Sequence, residues 1–216
     1  MLKFAVFILS LSFSGFAVAK PEEKADMEKE HRKILEGIFD LFVHFEQETF
    51  SALRKKTKIR KGQAQFSRPS SFRWSFQDER HGEEGFYYDG ATLSHYKERD
   101  NLVIHYKKQV GFFKELRSVV DMVLDPDTLL ERYKVAEKKK DERALRYTLE
   151  PLAENAQIKT LTIFVPTERT YIKEVKILYA DGNYSKYIFK DPLFHKIPSS
   201  AFRFKNPGSV KEKSAG

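Results

Sequence analysis

Apolar residues recur along this chain with two different periods, and the switches between them divide it. From Glu22 to about Phe39 the sequence is charged, and Met27, Ile34, Leu35 and Ile38 fall on one helical stripe, which predicts an amphipathic helix. The period then drops to two. Leu41, Val43 and Phe45 alternate within 41–50, Phe72, Trp74 and Phe76 within 71–76, and Leu102, Ile104 and Tyr106 follow the same rule. Asp89-Gly90 marks a tight turn between segments 85–88 and 92–96.

A helical period returns at Phe112, Phe113, Leu116, Val119, Val120, Val123 and Leu124, with Lys114, Glu115, Arg117 and Asp121 opposite them. Asp125-Pro126 closes that helix and opens a short one, because Asp can cap and Pro suits the first helical position. Segments 134–139, 145–150, 159–165, 171–179 and 184–189 then predict strands, with Asp181-Gly182 as a hairpin turn between the last two. Phe202 and Phe204 suggest a final short edge strand before a polar tail at 211–216. The predicted order is helix, strand meander, two helices, strand meander. An antiparallel sheet curled into a partial barrel, with the amphipathic helices on its concave apolar face, satisfies that order.

The first nineteen residues change the picture of where the chain works. Lys3, the apolar run Phe4–Phe16 and the small residues Ala17-Val18-Ala19 have the form of a secretory signal peptide cleaved after Ala19. The run is too short to stay in a bilayer as a spanning helix. Removing nineteen of the 216 residues leaves 197, enough for one core, and residues 20–210 are expected to form a single domain. The sequence holds no cysteine, so disulfides cannot support it and a thioether-linked lipid has no attachment point.

The formal charge of +8 falls to +7 without Lys3. Export argues against a nucleic-acid partner and leaves anionic lipid headgroups or acidic protein surfaces, or simple solubility. Much of the excess is local, in Arg54-Lys55-Lys56, Lys58, Arg60-Lys61 and Lys138-Lys139-Lys140, expected in solvated hairpin loops.

Five short motifs sharpen the assignment. Arg68-Pro69-Ser70-Ser71-Phe72-Arg73-Trp74 resembles the RPxxFRW signature of the LolA family of outer-membrane lipoprotein carriers. Phe45-Glu46-Gln47, Tyr88-Asp89-Gly90-Ala91-Thr92-Leu93, Tyr147-Thr148-Leu149-Glu150-Pro151 and Phe202-Arg203-Phe204-Lys205-Asn206-Pro207-Gly208 resemble other family segments in the same order. The resemblance implies an unclosed antiparallel β-barrel of about eleven strands covered by a helical lid. It implies a periplasmic carrier, not an enzyme and without a cofactor, expected as a monomer.

The implied partners are acylated lipoproteins, an inner-membrane lipoprotein-releasing ABC transporter (LolCDE-like) and a possible outer-membrane acceptor (LolB-like). By resemblance Arg68 is the lid latch, bonding lid backbone in the closed state. Phe72 lines the acyl-chain cavity, with Trp74 on the same strand face and Phe45 from the first strand. Periodicity adds Phe112, Phe113, Leu116, Val119, Val120 and Val123 as the inner face of the lid, against the alternative that this helix is permanent core.

Other classes have less support. HExxH, GxSxG and phosphate-cradling glycine motifs are missing. His95 and His105 could approach across a hairpin, but zinc needs more ligands. Glu46 and Glu48 share a strand face, as a glycosidase pair would, though solvated strand charges explain them as well. A carrier of another lipid or glycolipid on the same fold, an envelope sensor, and a surface protein anchored through the Phe112 helix remain alternatives.

Overall fold

A computed structural model describes residues 29, 40–78, 82–106, 116, 119–120, 123, 126–142, 144–154, 156–167 and 171–215. The signal segment, most of the N-terminal helix, Phe112 and Phe113 lie outside the described residues.

The first meander consists of β1 (Asp40–Ser51), β2 (Lys56–Ser67), β3 (Ser71–Asp78), β4 (Gly82–Tyr88), β5 (Leu93–Lys97) and β6 (Leu102–Tyr106). A helix, α1 (Pro126–Arg132), leads into the second, formed by β7 (Tyr133–Lys140), β8 (Ala144–Pro151), β9 (Ile158–Pro166), β10 (Glu174–Tyr179) and β11 (Tyr184–Leu193). A last strand, β12 (Lys211–Ala215), follows. All twelve form one sheet in the order β12-β6-β5-β4-β3-β2-β1-β11-β10-β9-β8-β7, so the barrel is unclosed. β1 and β11 join the two meanders antiparallel, with Phe45 opposite Phe189 and Gln47 opposite Tyr187.

Strand twist curls so broad a sheet and gives it a concave inner face. That face carries the residues of period two. Val43, Ala64, Trp74 and Phe86 stand in one cross-strand row, and Leu41, Phe66, Phe72 and Tyr88 in the next. Across the β1–β11 joint, Tyr187, Val175, Ile163 and Tyr147 continue the apolar surface. Nearly all of these are buried in one cluster.

Four expectations differ from the structure. β2 was not foreseen as a strand, since the Arg54–Lys61 run was assigned to a loop; only the turn 52–55 is loop, and Lys56 onward is paired to β1. Lys138–Lys140 also lie in a strand rather than a loop, in β7, where the pattern over 134–139 predicts one. Lys211–Ala215 is no free tail but pairs in parallel with β6, through Lys211–Leu102 to Ala215–Tyr106.

Phe202 and Phe204 do not make a strand. Phe202 ends a short 3₁₀ turn and is buried, and the Phe204 ring lies against Tyr87 and Tyr96 at centroid distances of 5.6 and 4.9 Å. The segment before β12 thus straps the outer face of β4 and β5, and an Arg203–Asp89 ion pair of 3.0 Å helps hold it. Its phenylalanines are buried from outside the sheet, which a period-two pattern cannot distinguish from an added strand.

Candidate functional site

The inner face of β1–β3 is an aromatic floor. Phe45 and Trp74 lie 4.1 Å apart between ring centroids, Phe45 and Phe76 meet edge-on at 5.2 Å, and Trp74 meets Tyr187 edge-on at 5.5 Å. Offset and edge-to-face pairs of this kind suit aromatic quadrupoles. Gly62 makes the arrangement possible: a Cβ there would stand 2.0 Å from the Ser75 carbonyl oxygen and 2.8 Å from Phe45 Cζ. The Phe45 ring therefore lies directly over the β2 backbone.

A helical cover closes the floor. Leu116, Val119, Val120 and Val123 are helical, 0–4% exposed, and belong to the same cluster as Phe72 and Trp74. Their spacing of three, one and three puts them on one stripe. Leu129 and Leu130 of α1 join the cluster. Connectivity explains how the cover reaches this place. The chain leaves the sheet at β6, next to one margin, and returns at β7, the other margin, so residues 107–132 must bridge the two.

The structure thus brings Phe45, Phe72, Trp74, Leu116, Val119, Val120 and Val123 together in one interior. Arg68 sits in the turn joining β2 to β3, on a cis peptide to Pro69, partly buried. Floor residues beyond the motif are Phe66, Phe76, Tyr187 and Phe189, which sequence reasoning left out. The alternation Gly62, Ala64, Phe66 opposite the motif strand was the available signal for the first of them. Among the described residues the buried indole Nε1 of Trp74 has no hydrogen-bond acceptor.

Around Phe76 the inner face turns polar, with Glu84 opposite it on β4, His95 opposite Phe86 on β5, and Arg60 at the next inward position of β2 after Gly62. Arg60 donates to Glu84 at 2.5 Å while its guanidinium rests 3.6 Å above the Phe76 ring. His95 bonds the other oxygen of Glu84 at 2.9 Å and stacks on Phe86 at 4.1 Å. The His95 hydrogen bond, opposed by burial and reinforced by Arg60, brings the Glu84 carboxyl down to about 2. A hollow of about 300 Å³ opens beside this cluster, with Lys58, Arg60, Glu83, Glu84, Glu98 and Arg99 among its walls. Sequence reasoning missed this polar end, because the three partners are far apart in the chain.

The alternative chemistries do not assemble. His95 pairs in register with Ile104, whereas His105 pairs with Ser94, so the two rings occupy opposite faces. His105 instead bonds Ser94 at 2.9 Å and approaches Glu212 at 3.4 Å. Among the described residues no group of three metal-ligating side chains is found. Glu48 accepts from the Tyr184 hydroxyl at 2.5 Å, and Glu46 pairs with Lys190 at 3.4 Å, so both are engaged in cross-strand contacts on the outer face.

Solved structures share this architecture. An uncharacterised conserved protein from Thermus thermophilus superposes with a TM-score of 0.57 at 7% identity, over 89% of this chain and 99% of that one. A DUF1329 family protein from Desulfovibrio piger gives 0.52 at 8% identity, over 84% and 96%. A LolA superfamily protein from Nitrosomonas europaea gives 0.47 at 9% identity, over 87% and 99%. No curated protein matches the sequence. The family model described as outer membrane lipoprotein carrier protein LolA matches residues 39–205, which include the whole floor and cover, and the chain belongs to that family.

Proposed function

We propose that the protein is a periplasmic, non-enzymatic carrier that shields the acyl chains of lipoproteins between the inner and outer membranes. The observation that carries this reading is the buried stripe Leu116, Val119, Val120 and Val123, which packs on the aromatic floor as the inner side of a cover. Such a stripe can exchange places with a hydrocarbon chain.

The energies match in size. An acyl chain of about 15 methylenes loses on the order of 12 kcal/mol on leaving a bilayer. Four buried Leu and Val side chains represent about 6–12 kcal/mol of burial. Lifting the cover and seating a chain is then close to an even exchange, and cargo could be released without nucleotide energy. The unpaired indole N–H of Trp74 adds support, since an ester or amide carbonyl of the cargo would satisfy it.

In this reading Arg68 latches the closed cover, and Phe45, Phe72, Trp74, Phe112, Phe113 and the stripe line the acyl space. The transporter that releases lipoproteins at the inner membrane loads it, and an outer-membrane acceptor or the membrane itself receives the cargo. The deciding experiment is to purify the protein from periplasm and identify bound lipidated molecules by mass spectrometry. Acylated proteins are expected, and depletion of the carrier should strand lipoproteins at the inner membrane. Free glycolipid as the only bound species would transfer the reading to a glycolipid carrier, and recovery without any lipid would overturn both.

A further inference from the structure

The β1–β2 hairpin is longer than the sheet around it requires. β2 is paired to β1 from Lys56 to Ser67, but its other side meets β3 only from Gly62 onward. Since Gln77 and Asp78 continue β3 beside Lys61 and Arg60, four residues, Lys56–Ile59, extend past its described end, about 13 Å at 3.3 Å per residue. At the tip, Leu53 is 93% exposed, and Ile59 behind it is 55% exposed. Beside Leu53 stand Arg54, Lys55 and Lys56, all exposed, and none of the three forms an ion pair among the described residues; Lys58 lies farther down, in the hollow walled by Asp78, Glu83, Glu84, Glu98 and Asp100, and Lys61 stands opposite Glu46.

The overhang is braced. The Ala52 amide donates to Asn183 Oδ1 at 2.8 Å, and Asn183 is itself bonded to Asp181 at 2.7 Å in the neighbouring turn. The Phe50 and Tyr184 rings stack at 5.2 Å below it. On the outer face below the tip, Glu48 is engaged with Tyr184 and Lys186 and Glu46 with Lys190. A stiff finger thus presents one leucine inside a group of uncompensated cations.

We propose that this hairpin tip docks the protein on an anionic bilayer surface, with Leu53 entering the headgroup layer and Arg54, Lys55 and Lys56 facing lipid phosphates. A protein partner fits less well, because interface cores are depleted of charge and apolar over a broad patch. Here the apolar part is one tip residue and the charge dominates, the pattern of electrostatic attachment to anionic lipid. The proposal does not rest on the nature of the cargo.

Each basic residue at an anionic surface adds about fivefold to the binding constant. With all three engaged, vesicles containing about one-third phosphatidylglycerol should bind about a hundredfold tighter than pure phosphatidylcholine, and raised salt should abolish the difference. The chain has no cysteine, so Leu53→Cys accepts an environment-sensitive dye at one site. Its emission should shift to the blue on anionic vesicles. A dye at Glu142→Cys, beside the other lysine run, should not shift.

Reversal of Arg54, Lys55 and Lys56 to Glu should remove vesicle sedimentation while circular dichroism and bound periplasmic lipid stay unchanged. Equal binding to both vesicle types, undiminished binding of the reversed variant, or a dye shift at Glu142 in place of Leu53 would each overturn the docking proposal. None of these outcomes bears on whether lipoproteins are the cargo.

Discussion

Whether the helical stripe is a movable cover or fixed core can be decided by placing the same charge in two equally buried positions. Val119 belongs to the cover and Val175 to the wall, on β10 between Ile163 and Tyr187, and both are 0% exposed. Replacing either with Asp removes about 1.5–3 kcal/mol of apolar burial and adds an effective desolvation penalty of several kcal/mol. In Val175→Asp the carboxylate has nowhere to go, because three strands fix the backbone. A loss of about 5 kcal/mol follows, which at roughly 2–4 °C per kcal/mol lowers Tm by about 10–20 °C.

In Val119→Asp the cover can lift and hydrate the carboxylate. The loss is then capped at the gap between closed and open states, a few kcal/mol, most of it outside the global transition. Tm should fall by less than half as much as in the wall variant. A dye sensitive to apolar surface should already bind well below the transition. Thermal unfolding by circular dichroism and dye fluorescence on the folded protein give both readings. Equal losses in the two variants, with no dye uptake before unfolding, would refute the movable cover and identify the stripe as permanent core.

Arg68→Leu should leave the fold intact but impair loading and release; a normal lipoprotein transfer rate in that variant would defeat the latch. Gly62→Ala should cost about 3 kcal/mol, because its Cβ overlaps the Ser75 carbonyl and the Phe45 ring; unchanged thermal stability would contradict the close approach. Glu84 titrates at about 2 when folded against 4.5 as a free side chain, so its contribution is complete above pH about 4.5 and is lost as pH falls through about 2. Glu84→Gln should therefore lower stability by about 2 kcal/mol at pH 7 and flatten its dependence between those values; an unaltered acid limb in denaturant titrations would exclude the triad with Arg60 and His95.

Much of the fold was legible because one wet and one dry face impose period two on β1, β3 and the strands of the second meander. β2 was hidden for a physical reason. Its inward positions before Ala64 are Gly62, which must be small beneath Phe45, and Arg60, which is neutralised by Glu84. Neither looks like core. β6 misled in a milder way: Val103 is its fully buried residue, on the face strapped by the C-terminal segment, while Leu102, Ile104 and Tyr106 are only partly buried. β12 has no apolar pattern at all and is held by backbone pairing to β6.

Of the buried interior, Phe72 and Trp74 are legible from one motif and Leu116, Val119, Val120 and Val123 from helical spacing, whereas Phe66, Tyr187 and Phe189 are not. The polar end required three residues from three strands, Arg60, Glu84 and His95, to be brought together by register, and register is not written in local periodicity.

The route of residues 107–132 between β6 and β7 limits how the interior can be reached. A flap hinged at one end can swing clear, whereas a segment whose two ends join strands near opposite margins of an open sheet would act like a bowstring. Raising it draws on the curvature of the sheet itself, so the gap between the margins and the height of the span change together. A guest with one hydrocarbon tail and a guest with three would then hold the sheet at different degrees of unrolling, and the distance between β12 and β7 would report the size of the load.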